Sequence, residues 1–530
     1  MWQIYEMKVV VLTWGGLIFW KYLEFRYENA SSDIRMKYQK SAEVILANWI
    51  YTICEGLNDR RIFFMKGKQE HDNGRQLHIE DYLQENKLET EGIVEVPSVF
   101  VVSSEEEIDT KTVTNELLDK ILSRDNMNLA FKRVKTNKGA SGIDDMQVDE
   151  LLQYLKENGD QIKEDIRKGR YNPKAVRRVE IPKADGSKRK LGIPTVVDRV
   201  IQQAIAQQLN EIYEPIFSEN SYGFRPNRSC HDAILKAKEI MNKGYKWVVD
   251  LDLEKFFDTV NQDLLISIIR KTVNEDKVVS LIRKYLQAGV LVNGVFERTE
   301  KGTPQGGNIS PILSNIMLNE LDKELEKRGL QFVRYADDCV IFTKSKKSAE
   351  RVMENITKFI ETKLRLKVNR DKSKVDKPAK VKYLGFSFYQ TKGRIEIRIH
   401  PKSIAKFKDK IRVITSRSNA MSMEARYVKL KQVIVGWVNY FKIANMKKIV
   451  QALDKWIRRR IRMCYWKQWK KCKTKRENLI KLGISEEVAR EHGGSRKSYW
   501  RMADTPAMNT ALNNKTLERF GYTSLSSVYC

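Results

Sequence analysis

The sequence predicts a multidomain α+β protein, and three observations carry that prediction. A chain of 530 residues exceeds what a single hydrophobic core organises. Between about 245 and 390, short apolar runs with strand character alternate with amphipathic helical stretches. After 401 the pattern becomes almost wholly helical and intensely basic. No fixed-period repeat interrupts this order.

The elements follow from the N-terminus. Residues 1 to about 85 are rich in aromatics and carry no chemical motif, and Val9 to Trp20 reads as a buried helix or strand. From Lys87 to Thr112 the chain turns acidic and irregular, as a linker would. A helical pattern resumes at Val113 through Leu117, Leu118, Ile121 and Leu122. Val176, Val179 and Ile181 lead into the turn Ala184-Asp185-Gly186-Ser187, and Leu191-Gly192-Ile193 returns, which predicts a basic hairpin. A helix is expected from Val196 through Leu209. Further on, Ser310 suits an N-cap, Pro311 the first helical position and Gly329 the helix stop. Beyond 401, Ile404, Phe407, Ile411 and Ile414 form one apolar helical stripe among Lys406, Lys408, Lys410 and Arg412.

Charge points to the class of partner. Lys and Arg total 97 against 68 for Asp and Glu, a net charge of +29. Such an excess attracts polyanions, nucleic acid first and an anionic membrane surface second. The six cysteines and five histidines are scattered, with no C-x-x-C pair. That argues against a zinc ribbon or a disulfide scaffold and fits a reducing compartment. The apolar stretch near the N-terminus is too short to span a bilayer.

Acidic residues supply the chemistry. Trp247 to Leu253 alternates apolar and acidic residues, and a strand places Asp250 and Asp252 on one face. Phe332 to Phe342 sets Asp337 and Asp338 between two apolar runs, as at the tip of a β-hairpin. A plain turn is the bland alternative, because Asp favours turns on its own account. Adjacent carboxylates repel, however, and a hard divalent cation offsets that cost. Two such ions about 4 Å apart serve an in-line displacement, one activating a hydroxyl and the other stabilising the leaving oxygen.

Tyr335-Ala336-Asp337-Asp338 between apolar strands resembles the YxDD box of reverse transcriptases, and Asp252 with Phe257 five residues later resembles their first carboxylate motif. In motif order and spacing, residues from about 113 to 530 resemble the reverse transcriptases and maturases encoded by bacterial group II introns. The resemblance implies a right-hand polymerase. Residues 113–395 would form fingers and palm, 396–474 a helical thumb (maturase domain X), and 475–530 a small helical DNA-binding region. Residues 1–112 remain an extension of unknown role. It implies RNA-directed DNA synthesis with Asp252, Asp337 and Asp338 catalytic. Those three and the Leu253 carbonyl would bind two Mg²⁺ ions, with Mn²⁺ as a substitute.

Further roles come with the same family. Lys183 and Arg189 in the basic hairpin would meet the triphosphate. Phe257 would exclude a 2′-hydroxyl, with a plain core residue as its alternative. Gln305 in the loop Gly302 to Pro311 would face the sugar or base. Lys372 stands open between a proton donor to pyrophosphate and a surface lysine. Arg225 in Ser221 to Pro226 would touch the template, and Tyr383 with Gly385 resembles the primer grip.

Gly436-Trp437-Val438-Asn439-Tyr440-Phe441 resembles the maturase thumb signature. Arg458, Arg459, Arg460 and Arg462 among tryptophans suit phosphates and unstacked bases, so these and Trp437 are expected on nucleic acid. The expected partners are group II intron RNA, an RNA template with DNA primer, target DNA and deoxynucleoside triphosphates, with no membrane and a bacterial cytoplasmic location. No cysteine–histidine endonuclease constellation occurs, so no endonuclease activity is expected. The rivals are a splicing cofactor that no longer polymerises and a reverse transcriptase of a retron or defence system.

Overall fold

The computed structural model describes residues 116–529 apart from 183–185, 187 and 293, together with two strands near the N-terminus. Those two, β1 (Glu6–Trp14) and β2 (Leu17–Arg26), pair antiparallel with a register shift between Val10 and Val11. They belong to a unit separate from the remainder. Of the stretch Val9 to Trp20, residues 9–14 and 17–20 lie on strand, while the acidic linker lies outside the described residues.

In chain order the remaining strands are β3 (Val176–Pro182), β4 (Lys188–Ile193), β5 (Trp247–Leu251), β6 (Val290–Val292) and β7 (Val295–Glu297). They continue with β8 (Gln331–Tyr335), β9 (Asp338–Thr343), β10 (Lys374–Asp376), β11 (Phe386–Thr391) and β12 (Arg394–Ile399). The basic hairpin β3–β4 forms as expected, and β6 extends its sheet in the order β4-β3-β6-β7. A second, fully antiparallel sheet runs β10-β5-β9-β8.

Period-two alternation makes this second sheet the divide between two cores. Val249, Leu251, Phe332, Cys339 and Ile341 face the first core, built with helices Val196–Tyr213, Gln262–Arg270, Asp276–Leu286 and Ser310–Lys327. Val248, Val333, Val340 and Phe342 face the second, which takes in helix Cys230–Asn242, the β11–β12 hairpin and the C-terminal helices. Each fully buried aliphatic side chain contributes roughly 1.5–3 kcal/mol relative to exposure. Both faces of the sheet are thereby held, and its rim is left to carry polar groups.

The helical expectations were largely met. Helix Leu117–Leu122 buries all four of its apolar positions, and Gly329 follows helix Ser310–Lys327 at φ +65°. One detail is corrected: Ser310 is the first helical residue, and its hydroxyl donates to the Pro304 carbonyl at 2.7 Å instead of capping. Helix Pro401–Ile414 buries Phe407, Ile411 and Ile414 against helices Met423–Phe441 and Lys447–Gln468. Short helices follow to Leu525–Tyr529, with Pro506 opening one of them. Buried Asp454 anchors the last, accepting from the Leu525 and Ser526 amides at 2.8 Å. Among the described residues no helix is long and apolar enough to cross a membrane.

Candidate active site

Two distant chain segments meet because β5 and β9 pair with Asp250 opposite Val340 and Leu251 opposite Cys339. Continuing that register sets Asp252, just past the end of β5, beside Asp338 at the start of β9. Main-chain bonds fix Asp252: its amide donates to Ser373 Oγ at 3.0 Å, and its carbonyl accepts from the Asn369 amide at 2.8 Å. Leu253 is bridged to Val368, so the strand edge beyond Asp252 is also tied down.

The tip between β8 and β9 is a tight two-residue turn, with Tyr335 paired to Asp338. Ala336 takes φ +55°, a left-handed conformation that costs an L residue about 1–2 kcal/mol. The surroundings enforce it. Arg334 is fully buried, donates to the Ala336 carbonyl at 2.9 Å and to Asn315 Oδ1 at 3.1 Å, and pairs with equally buried Asp322. Asn315 in turn donates to the Gly223 carbonyl at 2.9 Å. A Cβ on Gly223 would lie 2.2 Å from the Ala336 nitrogen, so only glycine lets that segment support the turn.

Electrostatics register the convergence. Burial, then repulsion from Asp337, Asp250 and Asp252, pushes the Asp338 carboxyl up to about 7. Asp338 nonetheless keeps an exposed surface, where a cation has access, while Asp252 and Asp337 line the cleft itself. Asp250 is raised to about 6, chiefly by burial and further by Asp252. Asp337 is raised by burial and by Asp252, with Arg189 opposing. Among the described residues these acids do not close into a three-ligand cluster by themselves. Acids that repel one another at the mouth of a cleft fit a divalent cation, whose charge removes the repulsion.

The cleft holds about 1500 Å³ and is lined by Asp252, Leu253, Asp337, Arg189, Phe257, Gln305 and Lys372, among others. Most of the expected catalytic and nucleotide residues therefore share one space. Lys183 lies outside the described residues. Phe257 is half-buried, edge-on to Phe256 with ring centroids 5.3 Å apart. Gln305 sits in a loop moulded to its neighbours: the Thr303 amide donates to the Phe257 carbonyl at 2.7 Å, and the Gln305 carbonyl accepts from Gly192 at 2.8 Å. Lys372 Nζ is 3.8 Å from Asp252, an exposed and weak ion pair.

Several residues expected on nucleic acid are placed within the fold. Arg225 is buried, forked onto Glu214 at 2.7 Å and bonded to the Ser221 carbonyl at 2.9 Å, so its donors are spent inside the fold. Tyr383 is buried in the second core, with its hydroxyl on the Val333 carbonyl at 3.4 Å. Gly385 takes φ +83° and sits close to Phe441, as a turn glycine packed beneath the helices. Trp437 stacks on Phe407 at 4.5 Å, its indole nitrogen buried.

The arginine run is mostly structural too. Arg459 bonds the Trp500 carbonyl at 3.0 Å and pairs with Asp504 at 2.9 Å. Arg460 reaches the hydroxyl and carbonyl oxygens of Thr415, and buried Arg462 bonds the Leu512 carbonyl at 2.9 Å and Asn509. Arg458 lines a small pocket with Asp454 and Glu518. The Arg334–Asp322–Asn315 support was not foreseen from the sequence. Its available signal was a charged residue inside an otherwise apolar strand.

The chain is similar in sequence to known proteins. Residues 181–388 match the reverse transcriptase (RNA-dependent DNA polymerase) family model, and 404–483 match the group II intron maturase-specific domain. Protein YkfC of Escherichia coli K12 is 34% identical over 280 residues, 45% of this chain and 74% of that protein. The group II intron-encoded protein LtrA of Lactococcus lactis is 35% identical over 276 residues, covering 52% of this chain and 44% of LtrA. The chain thus spans less than half of LtrA's length. A chain of a solved partial Cas6-RT-Cas1–Cas2 complex aligns over 46% of this chain and 42% of its own length, at 24% identity and TM-score 0.31, a slight likeness.

Proposed function

The chain belongs to the group II intron-encoded reverse transcriptase and maturase family, and we propose that it is an RNA-directed DNA polymerase that also assists splicing and mobility of its intron RNA. The observation that carries this is the side-by-side placement of Asp252 and the Asp337–Asp338 tip at the mouth of one cleft. In this reading 113–395 act as fingers and palm, 396–474 as thumb and 475–530 as a DNA-binding region.

Asp252, Asp337, Asp338 and the Leu253 carbonyl would hold two Mg²⁺ ions. When bound, these ions supply activation of the primer 3′-hydroxyl and stabilisation of the departing pyrophosphate. Arg189, whose charge already acts on Asp337, holds the incoming triphosphate together with Lys183. The Phe257 ring occupies the space a 2′-hydroxyl needs, and Gln305 orients the sugar or base across the cleft. Lys372, beside Asp252, steadies charge on the leaving phosphates. Template RNA and primer DNA lie along the cleft, while exposed lysines of the C-terminal helices take intron RNA and target DNA.

The test is incorporation of deoxynucleotides onto a DNA primer annealed to RNA, with and without Mg²⁺. A chain that binds intron RNA yet never extends a primer would instead be a splicing cofactor alone.

A further inference from the structure

Phe224 stands out on the cleft wall. The residue is 41% exposed and lines the same cleft as Asp252 and Asp337. Its φ is +59°, a backbone conformation that bulky L residues keep only where their surroundings impose it. On one side Gly223 presses on the Ala336 backbone and is held through its carbonyl by Asn315 at 2.9 Å. On the other side Arg225 is buried and locked to Glu214 at 2.7 Å. The ring is thus carried rigidly next to the turn that bears the paired aspartates, and it is among the side chains of neither core.

We propose that Phe224 is a stacking residue for a nucleobase at the growing end of the template–primer duplex. The inference rests on the polymerase reading. The primer terminus must reach the acids, which brings its last base pair to the residues adjoining the aspartate turn. An aromatic face there is sequence-tolerant, because every base offers a π-surface. A backbone already fixed on both sides leaves little freedom to be lost when a base docks. Phe257 differs, since that ring is half-buried against Phe256.

The experiment measures kcat/KM for single-nucleotide addition by the full chain, with melting temperature in parallel, for Phe224→Ala, Phe224→Gly and Phe224→Tyr. Ala and Gly should lose about 10-fold, and Tyr should stay within about 2-fold of wild type. Gly, which accepts positive φ, should melt at or above wild type. Abasic sites at the templating position or at the primer terminus identify the stacked base: its removal should cost wild type as much as the Ala change and cost Phe224→Ala nothing further. Wild-type kcat/KM in Phe224→Ala overturns the inference. So do losses that track melting temperature across all three variants, or abasic penalties equal in wild type and Ala. Wild type that extends no primer at all fails the polymerase reading itself, and this inference with it.

Discussion

At the scale of single residues, the site depends on groups that never touch substrate. Arg334 and Asp322 are both fully buried and satisfy each other, and Arg334 also holds the carbonyl of strained Ala336. Removing one partner of such a pair leaves an uncompensated charge, which costs about 3–5 kcal/mol. Asp322→Ala should therefore show that loss in urea unfolding; stability within 1 kcal/mol of wild type, roughly, would mean the pair is not what secures the turn. Gly223→Ala probes the same turn by sterics. With backbone on the other side at 2.2 Å, neither partner yields without moving the aspartates. Primer extension should fall at least about 10-fold while RNA affinity persists, since the change displaces groups proposed to act only in the chemistry. Extension at the wild-type rate would show that the turn tolerates the shift.

At the scale of elements, strand alternation made the acid-bearing strands legible before any coordinates. Asp250 and Asp252 on one side of β5, and the two aspartates between apolar runs, needed only period two and a turn. The basic hairpin and the helix that stops at Gly329 were equally visible. What sequence could not tell was where an arginine's donors end. Arg225 in its motif and Arg459, Arg460 and Arg462 in a basic run read as phosphate ligands, and in the fold carbonyls and carboxylates accept from them. Trp437 and Tyr383 are alike in this, because an aromatic at a motif position packs or stacks according to neighbours far along the chain, and both pack with the second core.

The consequence is a division of labour within the long helix Lys447–Gln468. Arg462→Ala should destabilise the C-terminal helices by roughly 1.5–3 kcal/mol, the loss of charged hydrogen bonds inside the fold. Chemical denaturation checks this, and an unchanged midpoint would contradict the assignment. Lys447, Lys448 and Lys455 are exposed on the same helix. Replacing all three by Gln should leave stability intact and reduce the salt dependence of RNA binding by about 2 in log–log slope. An unaltered slope would show that this face does not meet phosphates.

For the whole molecule, the antiparallel sheet joins two cores, and the acids sit where its rim opens to the cleft. The net charge of +29 supplies attraction for RNA without specifying a sequence. The proposed chemistry rests on three carboxylates brought together by strand register. The most direct test is Mg²⁺-dependent extension of a DNA primer on an RNA template by wild type and by Asp337→Asn. Wild type should extend in Mg²⁺ and stop on chelation, and Asp337→Asn should lose at least about 100-fold in rate while keeping its fold and RNA affinity. Extension by Asp337→Asn at the wild-type rate, or extension indifferent to divalent ions, would contradict the account.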